Sequence, residues 1–307
     1  MIVRDWRFVP AGALAPVFER ERRRWITSLG WDPAEAWGHV EQARTTWGLP
    51  GLVALDEHSR IIGSVFYLQL DNRIELGGIT ADDPAVTCVL LNGVLDAARR
   101  AGVEEMSCFA YEGAPGLSLE LLRREFTLEP HLYLWRSLTN DDRRVGRTPD
   151  VREWHPDDVA RVASLLHDAY DPQASRHFTP AHTEAGWGRY VRNLVEQTAC
   201  GALNAVASRI VERRGRIEAA LIVTAVSPTT AHVAQLAVHP EARGRGLAPE
   251  LLEDAMAIAA RQGYEAVSLL VSAANRPARL VYERAGFHDR AAFIAARRPL
   301  AEGQRVA

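Results

Sequence analysis

The 307-residue chain reads as one pattern written twice. Val3-Arg-Asp-Trp6 near the start answers Val151-Arg-Glu-Trp154, an offset of 148. Farther along, Arg100-Ala-Gly-Val-Glu104 answers Arg261-Gln-Gly-Tyr-Glu265 and Glu125-Phe126 answers Gly286-Phe287, now at an offset of 161. Matches in the same order at both ends of two similar-length halves imply an internal duplication, and the extra positions imply longer loops in the second copy. Between the copies, Thr139–Pro149 is polar and closes on Gly146 and Pro149, as an exposed linker should. The expected organisation is a domain over 1–138, a linker over 139–149 and a second domain over 150–307.

Periodicity in the second copy alternates element types. Val151–Trp154 reads as a strand, followed by a helix from Asp157-Asp158 to about Tyr170 and helical structure over Thr183–Gln197. Asn204–Val211 and Ile217–Val226 read as a hairpin around Glu212-Arg-Arg-Gly-Arg216, and Ala231–Val238 as a third strand. A helix over Ala248–Gln262, a strand over Ala266–Val271, a helix over Pro277–Ala285 and a strand from Phe287 complete the copy. The first copy gives strands near Gly51–Leu55, Ile61–Leu70 and Arg73–Ile79, a helix near Val86–Ala101 and a strand at Met106–Ala110. The fold class expected is mixed α/β, with a mostly antiparallel sheet covered by helices in each copy.

Composition removes several classes of function. A net charge of −3, with 47% hydrophobic and 24% charged residues, is that of a globular chain without a dedicated nucleic-acid surface. Cys88, Cys108 and Cys200 form no CxxC pair, which argues against a disulfide framework or a zinc ribbon. His155, His167, His177 and His182 lie near one another in sequence without an HExxH spacing, so no metal is expected. The start lacks an apolar leader and no apolar run reaches 18 residues, so no membrane association and a cytoplasmic location are expected. All 36 basic residues are arginine, which excludes Schiff-base lysine chemistry and a Walker A lysine.

The segment that carries chemistry is Gln235-Leu-Ala-Val-His-Pro-Glu-Ala-Arg-Gly-Arg-Gly-Leu-Ala248. A strand ends at Val238, and a turn rich in Gly and Arg leads straight into a helix. Backbone N–H groups in such a turn converge, and the helix N-terminus adds partial positive charge. Gly244 and Gly246 allow an anion to approach the backbone, while Arg243 and Arg245 add charge, so the turn reads as a phosphate or pyrophosphate cradle.

These residues resemble the GCN5-related N-acetyltransferase (GNAT) superfamily, whose signature Gln/Arg-x-x-Gly-x-Gly/Ala is met by Arg243, Gly246 and Ala248. Asn275, Ala278, Tyr282 and Gly286-Phe287 follow in the family's order, and the good match spans about residues 231–288. The resemblance implies acetyl-CoA as co-substrate, its pantetheine arm paired with strand residues Leu236, Ala237 and Val238. It implies a pyrophosphate held by Arg243, Gly244, Arg245, Gly246, Leu247 and Ala248, with Asn275 also on the cofactor side. Tyr282 matches the family tyrosine that protonates the departing thiolate. His232, six positions before Val238, matches the position of the general base. Strict alternation would set residues 232, 234, 236 and 238 on one face. The acceptor expected is a small-molecule amine, and the chain a monomer or homodimer. A protein N-terminal or side-chain acetyltransferase and a non-catalytic acyl-CoA sensor are the alternatives.

The first copy departs from the motif. At the 161 offset, Arg243, Gly246 and Ala248 become Asp82, Ala85 and Thr87, Tyr282 becomes Leu121 and Asn275 becomes Ala114. Asp82-Asp83-Pro84 would place negative charge, and a residue without N–H, where pyrophosphate should sit. A degenerate copy is expected, one that packs against the catalytic half and walls the acceptor site.

Overall fold

The computed structural model describes residues 1–70, 72–144, 150–172, 182–196 and 200–300. These gather into two compact units that are not collinear with the sequence. Unit 1 holds Met1–Leu29, Pro33–His131 and the residues from Ala291 on; unit 2 holds Gly30–Asp32 and Leu132–Arg290.

In unit 1, strands β1 (Ile2–Asp5), β2 (Gly51–Leu55), β3 (Ile61–Leu70), β4 (Arg73–Ala81) and β5 (Glu105–Tyr111) lie in sequence order, and β13 (His288–Pro299) follows β5. The β4–β5 pair is parallel over Arg73–Leu76 against Glu105–Cys108, and β13 runs antiparallel to β5 from Phe293 opposite Tyr111 to Pro299 opposite Glu105. Helices α1 (Ala15–Leu29), α2 (Ala34–Gln42), α3 (Pro84–Ala101) and α4 (Leu117–Arg123) accompany the sheet. Leu90, Leu91 and Val94 of α3 are buried with Ala54, Val65, Ile74 and Met106 of the strands.

Unit 2 repeats the plan. Its strand order is β6 (Thr127–Ser137, in this unit from Leu132), β12 (Ala266–Ser272), β11 (Thr230–Val238), β10 (Arg216–Ala225), β9 (Arg209–Arg213) and β7 (Val151–Glu153). The short β8 (Ala202–Leu203) pairs with β10. The β11–β12 pair is parallel, and β10–β11, β9–β10 and β7–β9 are antiparallel. Helices α5 (Asp158–Ala169), α6 (Glu184–Glu196), α7 (Leu247–Arg261) and α8 (Arg276–Arg284) complete the unit. Both faces of the sheet are covered, which is why β10 is apolar almost throughout. Leu221, Val223 and Val233 pack with Leu251, Leu252 and Ala255 of α7. Ile210, Ala220 and Ile222 pack with Val162 and Leu166 of α5 and Trp187 and Val191 of α6. Within the first of these layers Arg209 Nε of β9 lies 2.7 Å from Asp254 Oδ2 of α7, an ion pair buried at both ends.

Each unit thus takes its sixth strand from the other copy: β13 completes the sheet of unit 1 and β6 that of unit 2. The structure also shortens the expected hairpin. β9 begins at Arg209, because Asn204 accepts hydrogen bonds from the N–H of Ala207 through its side chain (3.1 Å) and from the N–H of Ser208 through its carbonyl (2.9 Å), bending 204–208 into a turn. Positions 145–149 of the expected linker and Gln197 lie outside the described residues.

Candidate active site

Strand β11 forms the centre of unit 2's candidate site. Its parallel ladder with β12 runs from Thr230 opposite Ala266 to Val233 opposite Leu269 and ends there, while its antiparallel ladder with β10 continues to Val238 opposite Ala219. A bulge marks the parting: Val223 faces Val233 but Ile222 faces Gln235, leaving Ala234 as the extra residue. Beyond it β11 keeps β10 on one edge and has lost β12 from the other. That bared edge contains Leu236, Ala237 and Val238, three of the sequence-predicted cofactor residues.

The bulge overturns the strict alternation expected from the sequence. One extra residue inverts the facing of everything after it. Leu236 and Val238 accordingly lie with the α7 layer, alongside Val233, whereas Ala234 and Ala237 join the α5–α6 layer. His232 lies on the latter face, opposite Thr224. It is 3% exposed, with Nδ1 2.9 Å from Ser268 Oγ and with the rings of Trp31 and Tyr133 at 5.3 and 6.1 Å. Burial lowers its pKa to about 4, so the imidazole is neutral at ordinary pH.

After Val238 a short 3-10 turn, Pro240–Ala242, leads to the cradle. Gly244 and Gly246 have φ of 77° and 84°, values that glycine adopts without strain. Gly246 is the N-cap of α7 and supplies no side-chain cap. The first-turn N–H groups of Leu247 and Ala248 have no intrahelical acceptor, and Pro249 has no N–H to offer. A Cβ on Gly244 would meet nothing within 4 Å, and one on Gly246 only Glu250 Oε1 at 3.8 Å, so the space before the turn is open. These features fit a diphosphate.

The arginines behave differently from expectation. The Arg243 guanidinium donates to the carbonyls of Ala169 (2.6 Å) and Val238 (3.4 Å), tying the turn to the end of α5. Arg245 donates to the Glu241 carbonyl at 2.9 Å and lies 3.7 Å from the Glu218 carboxylate. Both charges are partly spent inside the protein, and the backbone of the turn carries more of the anion-binding capacity than the sequence suggests.

On α8, Asn275 is the N-cap, its Oδ1 accepting from Ala278 N at 3.2 Å. That capping bond accounts for the residue without a ligand. Tyr282, one turn from the helix end, is buried with its ring edge-to-face against Phe287, the centroids 6.0 Å apart. Burial first, and the repulsion that a Tyr282 phenolate would meet from the Tyr170 oxygen second, raise its pKa well above that of an ordinary phenol. Tyr282 is therefore a protonated group, able to give a proton to a stronger base.

The α5–α6 face holds a polar cluster that the sequence reading missed. Gln235, the first residue after the bulge, is 5% exposed, and two phenols satisfy its amide. Tyr170 Oη donates to Oε1 at 2.6 Å, and Nε2 donates to Tyr190 Oη at 3.0 Å. The Trp187 ring packs on both tyrosines, at 5.1 and 5.6 Å. Burial raises the Tyr170 phenol to about 12 and that of Tyr190 well above its usual value, so this wall is uncharged and hydrogen-bonding. The sequence signal was weak: a glutamine inside an apolar strand, with tyrosines supplied from two distant helices. His167 and His182 stack nearby at 4.7 Å, while His177 lies outside the described residues. Among the described residues no group of three or more potential ligands could hold a metal, and no helix is long and apolar enough to cross a membrane.

Unit 1 keeps the frame and fills the cradle. Its β4 carries the matching bulge, with Phe66 facing Gly78 and Tyr67 facing Leu76. The N-cap of α3 is Asp83, whose Oδ1 accepts from Ala85 N at 2.7 Å and Val86 N at 3.0 Å, with Pro84 beside it. A carboxylate of the chain itself thus occupies the place an anion would take. By position, the counterpart of Gly246 is Asp83 rather than the Ala85 given by the 161 offset. The offset does hold on α4, where Phe126 N bonds the Leu121 carbonyl (3.1 Å) as Phe287 N bonds that of Tyr282 (3.0 Å). Leu121, fully buried, replaces the phenol with an alkyl group.

Residues 159–287 match the family model described as Acetyltransferase (GNAT) family. No protein of curated function matches the sequence significantly. Among solved structures, a GCN5-related N-acetyltransferase from Sphaerobacter thermophilus superposes with a TM-score of 0.69 at 16% identity, covering 99% of this chain and 96% of its own. A tandem GNAT protein from the clavulanic acid biosynthesis pathway gives a TM-score of 0.60 at 14% identity over 83% of this chain and 84% of its own. A glucosamine N-acetyltransferase region of a fungal multi-domain β-N-acetylglucosaminidase gives 0.62 at 14% identity, covering 97% of this chain and 38% of that one. Two GNAT-like folds in one mixed α/β chain are consistent with this coverage.

Proposed function

We propose that this chain, whose residues 159–287 match the GNAT acetyltransferase family model, moves an acetyl group from acetyl-CoA to a primary amine by direct attack on the thioester. The observation that carries this reading is the parting of β11 from β12 beside an uncapped, glycine-lined start of α7. The bared edge from Ala234 to Val238 can pair with an amide-bearing pantetheine arm as an added strand would. The turn from Arg243 to Ala248 accepts the diphosphate, and Asn275 acts by capping α8, the helix that carries Tyr282. The co-substrate supplies the activated acyl thioester; the chain's residues orient it and move protons.

Two proton movements are needed. Tyr282 donates its phenolic proton to the departing thiolate; burial makes the phenol a weaker acid than a thiol, so this step is uphill by itself and is drawn forward by formation of the amide. His232, neutral at working pH, takes the proton released by the attacking nitrogen, and the Val238 N–H steadies the developing oxyanion. Solvent exchange then restores the phenol and the imidazole, leaving amide and free thiol as products.

The acceptor we favour is a small molecule. The Tyr170–Gln235–Tyr190 wall with Trp187 offers rings and neutral hydrogen bonds, which suit a compact amine better than a basic peptide. Unit 1, with Asp83 in its cradle and Leu121 at the acid position, neither binds acetyl-CoA nor catalyses, and the domain pattern we favour remains that of a duplicated GNAT pair acting in the cytoplasm as a monomer or homodimer.

The test is calorimetric titration of acetyl-CoA into the full chain, followed by an amine panel read by thiol release. Binding at one site with amine-dependent thiol release supports the proposal. Binding without turnover across small amines and peptides would instead make the chain an acyl-CoA sensor.

A further inference from the structure

Three polar atoms converge on the Ser268 hydroxyl, which β12 holds directly opposite His232. His232 Nδ1 is 2.9 Å from Oγ, the Ala231 carbonyl oxygen is 3.3 Å away, and the Tyr133 phenol hydrogen-bonds the same oxygen. A hydroxyl has one proton and two lone pairs. The Ala231 carbonyl can only accept, so that contact takes the Ser268 proton. His232 Nδ1 then faces an oxygen lone pair and must carry hydrogen itself. The remaining lone pair is open to the Tyr133 phenol, so the three contacts are compatible with one another. A neutral imidazole carries one ring proton, which leaves Nε2 bare.

We propose that Ser268 is a positioning residue: it fixes His232 in the Nδ1–H tautomer and makes Nε2 the ring's basic atom. The inference deepens the acyl-transfer reading, because a base assigned to His232 must then work through Nε2. The groups facing the ring are Ser268 of β12, Tyr133 of β6, Thr224 of β10 and Trp31. The charged group acting on this set is Arg290, through Tyr133. The ring's setting is therefore one of hydroxyls and aromatic faces, where the neutral form persists and the choice of tautomer decides which nitrogen is available.

Long-range proton–nitrogen NMR of the full chain, labelled on histidine nitrogen, reads the tautomer directly. The His232 signals are assigned by their loss in His232→Gln. At neutral pH the wild type should give a protonated-type Nδ1 and a bare-type Nε2. Ser268→Ala should convert this to a mixture of tautomers, and Ser268→Thr, which keeps the hydroxyl, should restore it. In the amine assay Ser268→Ala should lower kcat about tenfold without changing acetyl-CoA affinity, and Ser268→Thr should recover most of it. An Nε2–H tautomer or an imidazolium in the wild type, or wild-type signals in Ser268→Ala, would overturn the inference. The expected spectra with full activity in His232→Gln would uphold the tautomer and overturn the base assignment instead.

Discussion

Tyr170 donates its phenolic hydrogen to Gln235 Oε1 over 2.6 Å, linking the residue just beyond α5 to the first residue past the β11 bulge. This bond and its partner to Tyr190 lie on the face that we propose for the amine. Gln235→Leu removes the amide from between two buried phenols. We expect the KM for the amine to rise about tenfold, the kinetic equivalent of one lost buried hydrogen bond, with acetyl-CoA affinity unchanged. Steady-state kinetics beside calorimetry checks this; a parallel loss of acetyl-CoA binding would show that the cluster supports the cradle instead.

The N-caps of α7 and α3 predict the binding stoichiometry. Gly246 leaves its helix start open, whereas Asp83 closes its own. Gly246→Asp puts a carboxylate at the start of α7, at a positive φ that aspartate tolerates better than most residues, where its charge opposes a bound anion. The wild type should bind one acetyl-CoA per chain, and the variant should bind at least about tenfold more weakly through lost helix-end attraction. Two wild-type sites would mean that unit 1 accepts the co-substrate despite its carboxylate.

Tyr282→Phe deletes one oxygen from a buried ring. If the phenol protonates the thiolate, kcat should fall about a hundredfold while acetyl-CoA binding stays within about threefold of wild type. Because burial raises this pKa above the ordinary phenol range, wild-type activity should show no loss of the acid between neutral pH and the mildly alkaline range. A variant with unimpaired turnover would remove Tyr282 from the mechanism.

His232 links stability to pH. Its pKa is about 4 when folded and near 6.5 when unfolded, so the unfolded chain binds the proton more readily. The neutral ring's contribution is present above pH 6.5 and is lost progressively as pH falls to about 4. Its full size is up to about 3 kcal/mol. Urea denaturation across that window should give a shallower fall in stability for His232→Gln than for wild type. Parallel curves would mean that the ring titrates as it does in the unfolded chain.

The Arg209–Asp254 pair predicts an asymmetry. Asp254→Ala takes the buried carboxylate from the Arg209 guanidinium, leaving it the Glu153 carboxylate at 4.0 Å, and should cost about 3 kcal/mol, whereas Arg209→Met with Asp254→Leu should recover most of it. Urea midpoints distinguish the two, and equal losses in both variants would show that the charges themselves stabilise the fold.

Much of this was legible in the sequence because it depends on local backbone chemistry. The strand before Gly244, the helix after Gly246, the Gly286 stop and the placement of Tyr282 follow from periodicity and from residues with special backbone freedom. The bulge did not, since its one extra residue is defined by register against β10, and it turned Leu236 and Val238 away from the face of His232. Gln235's partners come from α5 and α6, over forty residues away, so their convergence is tertiary. Arg243 was recognised as part of the motif but not as a tie to the Ala169 carbonyl, because a helix end arriving from elsewhere leaves no mark on the loop.

Strand exchange was equally hidden, as an apolar alternating strand reads the same whichever sheet receives it. It also constrains how this protein can change over generations. Because β13 lies along seven residues of β5, and β6 follows β12, neither copy can be deleted or transplanted without baring the edge of the other. A change that empties the first copy's helix start can therefore be retained, since the sheet of the second unit still needs the strand that the first copy contributes.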